Sequence, residues 1–593
     1  MALRSAEIAI AELEKDILRM GRPARLFYSC TGAGRMRSHN LEQFLLLKRN
    51  VGLLWPEEHK PSVHPVEVMI NLAINWNMNF LFDVRGLPNT TDAPPALLMT
   101  TGRLGVSWRY RYQTDPMSPE QYRDYVNRTN EALGVDTEQW DHRELQRLER
   151  SIVEAKIQII QSDHHQEWFP LGSLDAFVPS AKEGFWIEIL NKHFKGDINW
   201  TSDQFFVLQD VRILETVSRL LTAHGPEELH VGLSWIFIQS HLWAVLGMPK
   251  LMFPENTEKM KKYGCLEYVD SYFGLLSVRE HIARRYREPD VKDFLESINR
   301  TIIAMLDSLA LASNDVGAEV AIRKIAAMKI NVLPAAEFFS DQELEKLYRS
   351  FPRLTNTIFV ANLISLSRLH RRLLFDKNYP NVYGRRMVSN YGQSIYVYPR
   401  NYLEIPLLTL EPPMYYTRAA FAINYAGLGA TTARDMIRAF DSRGVAVGEA
   451  GSSDQWWGAS LSASYKRWLE CSGSVLPGDV NRSEAADTSE RLIMSVPALE
   501  VAFGAYRSAA SRDTVELGSV MLGDLVDYTP DQIFFITYCH MLCALGNGTF
   551  DGDEDECTYA AKNFEPFAEA FACPVDSPMN PPRKCPFFLP SQQ

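Results

Sequence analysis

The stretch Ile423–Gly444, INYAGLGATTARDMIRAFDSRG, decides how this chain is read. Taken as a helix, TTARDMIRAF places Ala433, Met436, Ile437 and Phe440 on one face, while Arg434, Arg438 and Asp441 share the other. Side chains at i and i+4 lie one turn apart and point the same way. Here both are guanidiniums, each with five N–H donors, no acceptor and a pKa above ~12, so neither can ligate a cation. Asp435 is the carboxylate between them. A solvated helix face would read the same over ten residues, so the decision lies in the flanking sequence.

The 593-residue chain is long enough for two or three lobes with sizeable cores. Its 46% hydrophobic and 23% charged composition is that of a globular protein, neither disordered nor fibrous. A net charge of -12 argues against a general nucleic-acid binder, which needs a basic face. Met1–Gly21 has charges spread through it and lacks the uninterrupted apolar core of a secretory signal. Val231–Met248 comes nearest to a membrane span, but Gln239, Ser240 and His241 interrupt it, so a buried core helix is expected and no membrane span. Eight cysteines include no C-x-x-C pair, and five of them crowd together from Cys539 onward. That crowding favours disulfides and an oxidising compartment. Sequons at Asn89, Asn127, Asn199, Asn299, Asn481 and Asn547 are compatible with a secreted glycoprotein.

Most of the first 370 residues read as helix, with apolar spacings of three and four in Arg143–Gln161, Asp290–Leu311 and Glu319–Ile330. From Asp376, a run rich in Tyr, Val and Ile suggests two or three short strands, and helical patterns return from Ala419. The proline-laden tail CPVDSPMNPPRKCPFFLP must be irregular. A helical block, 1–384, is thus followed by a smaller strand-then-helix block, 385–593.

Around the opening stretch the sequence resembles the neprilysin and endothelin-converting-enzyme family of zinc metallopeptidases. That family carries N-Y-G-x-I/L-G, three residues, then G-H-E-x-x-H-G-F-D. This chain carries Asn424, Tyr425, Ala426, Gly427, Leu428 and Gly429, then Ala433, Arg434, Asp435, Arg438, Ala439, Phe440 and Asp441. Upstream, NYLEIPLLTLEPPM keeps Asn401, Pro406, Leu410, Pro412 and Pro413 in register with the family's N-x-I-x-x-P-x-x-x-L-Q-P-P-F. Downstream, DQWWGASLSASYKRWLEC and NFEPFAEAFACPVDSPMNPPRKC match further landmarks. RLFYSC, LLWP, PLGSLDAFVPS and YGCLEYV do so in the amino-terminal half. The resemblance implies an α+β, predominantly helical fold. It further implies two lobes enclosing a large central cavity and a thermolysin-like carboxy-terminal region with a few short strands.

It also implies where the chemistry would stand. Arg434, Arg438 and Arg491 fall at the three zinc-ligand positions, Asp435 at the catalytic glutamate and Ser495 at the second carboxylate that supports the site. Glu556 falls at the arginine that would stabilise the oxyanion, and the transition-state histidine falls near Phe550. Gln393, Ser394, Ile395 and Tyr396 fall on the peptide-gripping segment. With these groups absent or reversed in sign, Lewis-acid and oxyanion catalysis fail. The expectation is a pseudo-peptidase without bound zinc, outside the cell or at its surface. It would bind a peptide or a protein partner, such as an active relative. The alternative is an active zinc endopeptidase using other residues. Cys30 should pair with Cys265 and Cys471 with Cys585, whereas the partners of Cys539, Cys543, Cys557 and Cys573 stay open. By the resemblance, the chain is expected to be a trimmed or incomplete ectodomain, beginning after the family's membrane anchor and ectodomain start. Asp435, Asp441 and the acidic run Asp551–Glu556 are the candidate counter-charges for the arginines, either as a salt-bridge network or around an anion site. An EF-hand reading of that run fails at Lys562, where a bidentate glutamate is required.

Overall fold

The computed structural model describes residues 2–587 except 17–20, 58–62, 88–95, 103–115, 136–140, 161–166, 179–180, 195–197, 248–256, 286–287, 313–317, 333–339, 377–381, 384–394, 399–400, 406–408, 410, 442–443, 450–458, 476–485, 513–526 and 546–551. The fold is α+β and predominantly helical, and it divides into two compact units that are discontinuous in sequence. The amino-terminal unit comprises Ala6–Glu280 and Ala336–Ser389; the carboxy-terminal unit comprises Met1–Ser5, His281–Ala335 and Asn390–Gln593.

In the amino-terminal unit, helix α1 (Pro119–Leu133) starts at a capping box, Ser118 Oγ accepting from Gln121 N while Gln121 Oε1 accepts from Ser118 N. Helix α2 (His142–Ile160) buries Leu145, Leu148 and Ile152 along one stripe, as its periodicity demands. Helix α3 (Arg212–Leu246) bends at Gly225, whose φ of 70° lies in the left-handed region, just before Pro226. It is long and apolar enough to cross a membrane, yet 83% of its most apolar window is buried inside the protein. The helical reading of this half misses a four-stranded sheet of order β1-β2-β4-β3, made of β1 (Phe82–Leu87), β2 (Ala96–Thr101), β3 (Glu167–Pro170) and β4 (Phe205–Leu208). These strands are short, and the pairing of β2 with β4 is parallel and remote, so neighbouring sequence cannot announce it. Cys30 and Cys265 are bonded, tying two helices of this unit across 235 residues.

In the carboxy-terminal unit, helix α4 (Glu288–Ala312) matches its predicted span. Helix α5 (Ala318–Ala326) is shorter than predicted, because Lys329–Asn331 leaves the helix to form strand β5. Strands β6 (Ile395–Val397) and β7 (Tyr402–Glu404) lie in the predicted strand region. The sheet order is β5-β7-β6, with β5 parallel and β6 antiparallel to β7. Helices α6 (Ala430–Ile437), α7 (Ala459–Ser474), α8 (Ala486–Arg512), α9 (Pro530–Leu545) and α10 (Gly552–Lys562) complete the part that carries the site. Cys471 is bonded to Cys585, holding the irregular tail, and Trp468 Nε1 donates to the Cys585 carbonyl at 3.1 Å. Cys539 and Cys557 pair with each other, joining α9 to α10. Cys573 is a free thiol, and the side chain of Cys543 lies outside the described residues.

Candidate functional site

The frame that sets α6 begins at Asn424. Its side chain accepts from Tyr416 N and donates to Tyr416 O, both at 2.9 Å, fixing the entry of the chain. Tyr425–Gly429 then widens into one π-helical turn. Only glycine fits at 427, because a Cβ there would lie 2.3 Å from the Met414 carbonyl oxygen. After Ile437 the helix tightens into a 3-10 turn, Arg438–Phe440. Ala433, Met436, Ile437 and Phe440 form the buried face, as their spacing predicts.

The polar face differs from the sequence reading at Asp441. Rather than standing beside the arginines, it is buried, accepting from Gly444 N at 2.7 Å and from the Tyr398 hydroxyl. The chain turns away from helical geometry at Asp441, which swings its carboxylate off the helix face. The turn is held from a distance by Lys324 of α5, whose Nζ donates to the carbonyls of Ala439 (2.9 Å), Val447 (2.6 Å) and Gly444. Burial pulls its pKa down to about 7, against the opposing pull of Asp441. Gly444 is required here, since a Cβ would lie 2.1 Å from the Arg438 carbonyl oxygen. Asn401 fastens the lysine's own backbone, donating to Lys324 O at 2.7 Å, and accepts from the Tyr396 hydroxyl at 2.9 Å.

Two ion pairs occupy the polar side of α6. Arg434 Nη1 lies 3.5 Å from Glu556 Oε1 of α10, and Arg438 Nε lies 3.4 Å from Asp435 Oδ1. The acids are buried and the arginines only partly so: side-chain exposure is 24% for Arg434 against 1% for Glu556, and 43% for Arg438 against 2% for Asp435. Burial opposes the charge of Arg434, but Glu556 and Asp435 outweigh it and raise its pKa. The buried hydroxyl of Tyr538, on α9, is also pushed up, first by burial and then by Glu556.

Glu556 was among the expected counter-charges and does pair with Arg434. Asp435 pairs within its own helix, and Asp441 serves the turn instead. Ser495 is buried on α8, its Oγ donating to Leu492 O at 2.6 Å, so it satisfies its own helix. Arg491 lies one turn earlier on α8, a helix packed against α6, but its side chain is outside the described residues. Gln393 and Ser394 also lie outside the described residues; Tyr396 is on β6 and buried. Sequence reasoning missed Lys324, Tyr398 and Tyr538. Lys324 reads as one more basic residue of an amphipathic helix, and its acceptors lie more than a hundred residues away.

Arg434 and Arg438 offer no lone pair to a metal. A dication at α6 would meet two guanidiniums, and each nearby carboxylate already faces one of them. Among the described residues, no three of His, Cys, Asp and Glu converge as a metal site.

The chain belongs to the family described as Peptidase family M13, whose amino-terminal pattern matches residues 15–333 and whose carboxy-terminal pattern matches residues 393–587. It is 22% identical over 431 residues to Neprilysin-1 of Trittame loki, covering 68% of this chain and 59% of that protein. It is 22% identical over 509 residues to Endothelin-converting enzyme-like 1 of Homo sapiens, covering 78% and 62% respectively. The match thus spans about three-fifths of the length of these relatives. The fold is similar to the crystal structure of Mycobacterium tuberculosis zinc metalloprotease ZMP1 in complex with inhibitor, with TM-score 0.68, 13% identity, and coverage of 99% of this chain and 94% of that one.

Proposed function

We propose that this chain is a catalytically inactive, neprilysin-like member of its family that binds peptides, or a protein partner through a peptide-like segment, without zinc-dependent hydrolysis. The observation that carries this reading is the pair of guanidiniums on α6 in the place where a metal site would need imidazoles. Asp435 cannot act as a general base on a metal-bound water that the site has no ligands to hold.

Binding is supported by strand β6. Among the described residues it pairs with β7 on one side and ends its sheet, and it packs beside α6. An extended peptide can add to such an edge through main-chain hydrogen bonds alone. An active relative that presents a chain segment to this edge is one such partner. Three disulfides among the described residues suit an oxidising, extracellular or cell-surface setting.

The test is to incubate the purified chain with a pool of short peptides, following thermal unfolding and peptide integrity together. A raised melting temperature with intact peptides is expected. Chelator-sensitive cleavage would replace this reading with that of an active zinc endopeptidase.

A further inference from the structure

We infer that the exposed face of α6 recognises a ligand carboxylate, held between Arg434 and Arg438. This rests on the peptide-binding reading above and names the chemistry that the bound peptide must bring.

The two ion pairs sum to zero charge, yet they are not neutral as seen from outside. Glu556 and Asp435 are 1% and 2% exposed, whereas Arg434 and Arg438 are 24% and 43% exposed. The carboxylates are therefore enclosed, and the arginines are the part of each pair that solvent can reach.

Spacing adds to this. Arg434 on α6 and Arg438 in the 3-10 turn that ends it are four residues apart, the spacing of neighbours on one helix face. The Arg434–Glu556 pair, at 3.5 Å, is longer than a normal charge-assisted hydrogen bond, and the Arg434 Nε is buried without an acceptor, so this guanidinium is incompletely satisfied by the protein. A carboxylate matches two such forks with short, paired N–H···O bonds, whereas an amide or an ammonium does not. Strand β6, beside α6 in the same unit, can carry the peptide's main chain while its acidic group reaches the arginines.

The experiment uses the full chain and equilibrium dialysis against three pools of short N-acetylated peptides of random sequence. One pool lacks Asp and Glu and ends in a free acid. The second is the same but amidated, and the third is amidated with one internal Glu. Retention of the acid pool about ten- to a hundredfold above the Glu-free amidated pool is expected, the scale of a charge-assisted hydrogen bond. Equal retention of the third pool assigns side-chain acids to the same site; its loss restricts the site to chain ends. Arg438→Gln should abolish the preference, and Arg438→Lys, which keeps charge but not the fork, should retain part of it. Circular dichroism on both variants separates this loss from misfolding.

Equal retention of the acid and Glu-free amidated pools would overturn the inference while leaving peptide binding intact. So would a preference that survives Arg438→Gln. No retention of any pool would remove the peptide-binding reading, and this inference with it.

Discussion

Buried charge is handled in opposite ways at two places, around Lys48 and Glu149 of the amino-terminal unit and along α6 of the carboxy-terminal unit. At Lys48 and Glu149 it closes on itself. The Lys48 ammonium is buried, donating to the carbonyls of Leu53 (3.0 Å) and Trp55 (2.7 Å) and pairing with Glu57. The Glu149 carboxylate, equally buried, accepts from Tyr122 and Trp235 at 2.6 Å each and from Gln239 at 2.8 Å. Along α6 of the carboxy-terminal unit the acids are enclosed, and their arginine partners are partly exposed. A charge that is satisfied inside holds a core together. A charge half turned outward can still act on a ligand.

The comparison breaks most severely at Glu149. Glu149→Leu takes the shared acceptor from Tyr122, Trp235 and Gln239, and should lower unfolding free energy by about 3–5 kcal/mol, at ~1–3 kcal/mol per lost buried partner. Urea unfolding followed by tryptophan fluorescence reads the change. Arg434→Met comes next, because it leaves Glu556 buried without its cation, at a cost of about 3 kcal/mol. Adding Glu556→Leu should recover more than half of that loss, and an additive double variant would show that the pair is not coupled.

A pH effect of intermediate size belongs to Lys156 of the amino-terminal unit. Burial lowers its pKa to about 7, opposed by Asp83, and its Nζ donates to Leu81 O at 3.0 Å. Unfolded, the lysine keeps its proton up to about pH 10.4. Between about pH 7 and pH 9.5 the unfolded chain therefore binds more protons, and stability should rise with pH. Lys156→Met should flatten that slope in urea midpoints measured across the window. A smaller stability effect is expected at Arg438→Gln, because Arg438 is the more exposed of the two arginines and Asp435 keeps its interaction with Arg434. That variant should melt almost as the parent does while losing carboxylate recognition, which is the sense in which α6 differs from the Glu149 core.

What was legible in the sequence was whatever is local or held in a long register. Helices α2 and α4 follow their apolar spacing, and the apolar face of α6 follows from four residues. The pairings Cys30–Cys265 and Cys471–Cys585 follow from the family resemblance and are present. What was not legible depends on remote contact. The parallel pairing of β2 with β4, the burial of Lys324 under the turn after α6, and the inward swing of Asp441 are each set by partners far along the chain. The bond between Cys539 and Cys557 spans only 18 residues, yet cysteine spacing alone allows several pairings.

Arginines stand at the end of α6 where the proposed function requires that metal ligands be lacking. The most direct test of that function is the zinc content of the purified chain after incubation with zinc and exhaustive dialysis, measured alongside peptide hydrolysis. Substoichiometric zinc and no chelator-sensitive cleavage are expected. One zinc per chain, retained through dialysis and required for hydrolysis, would contradict the account.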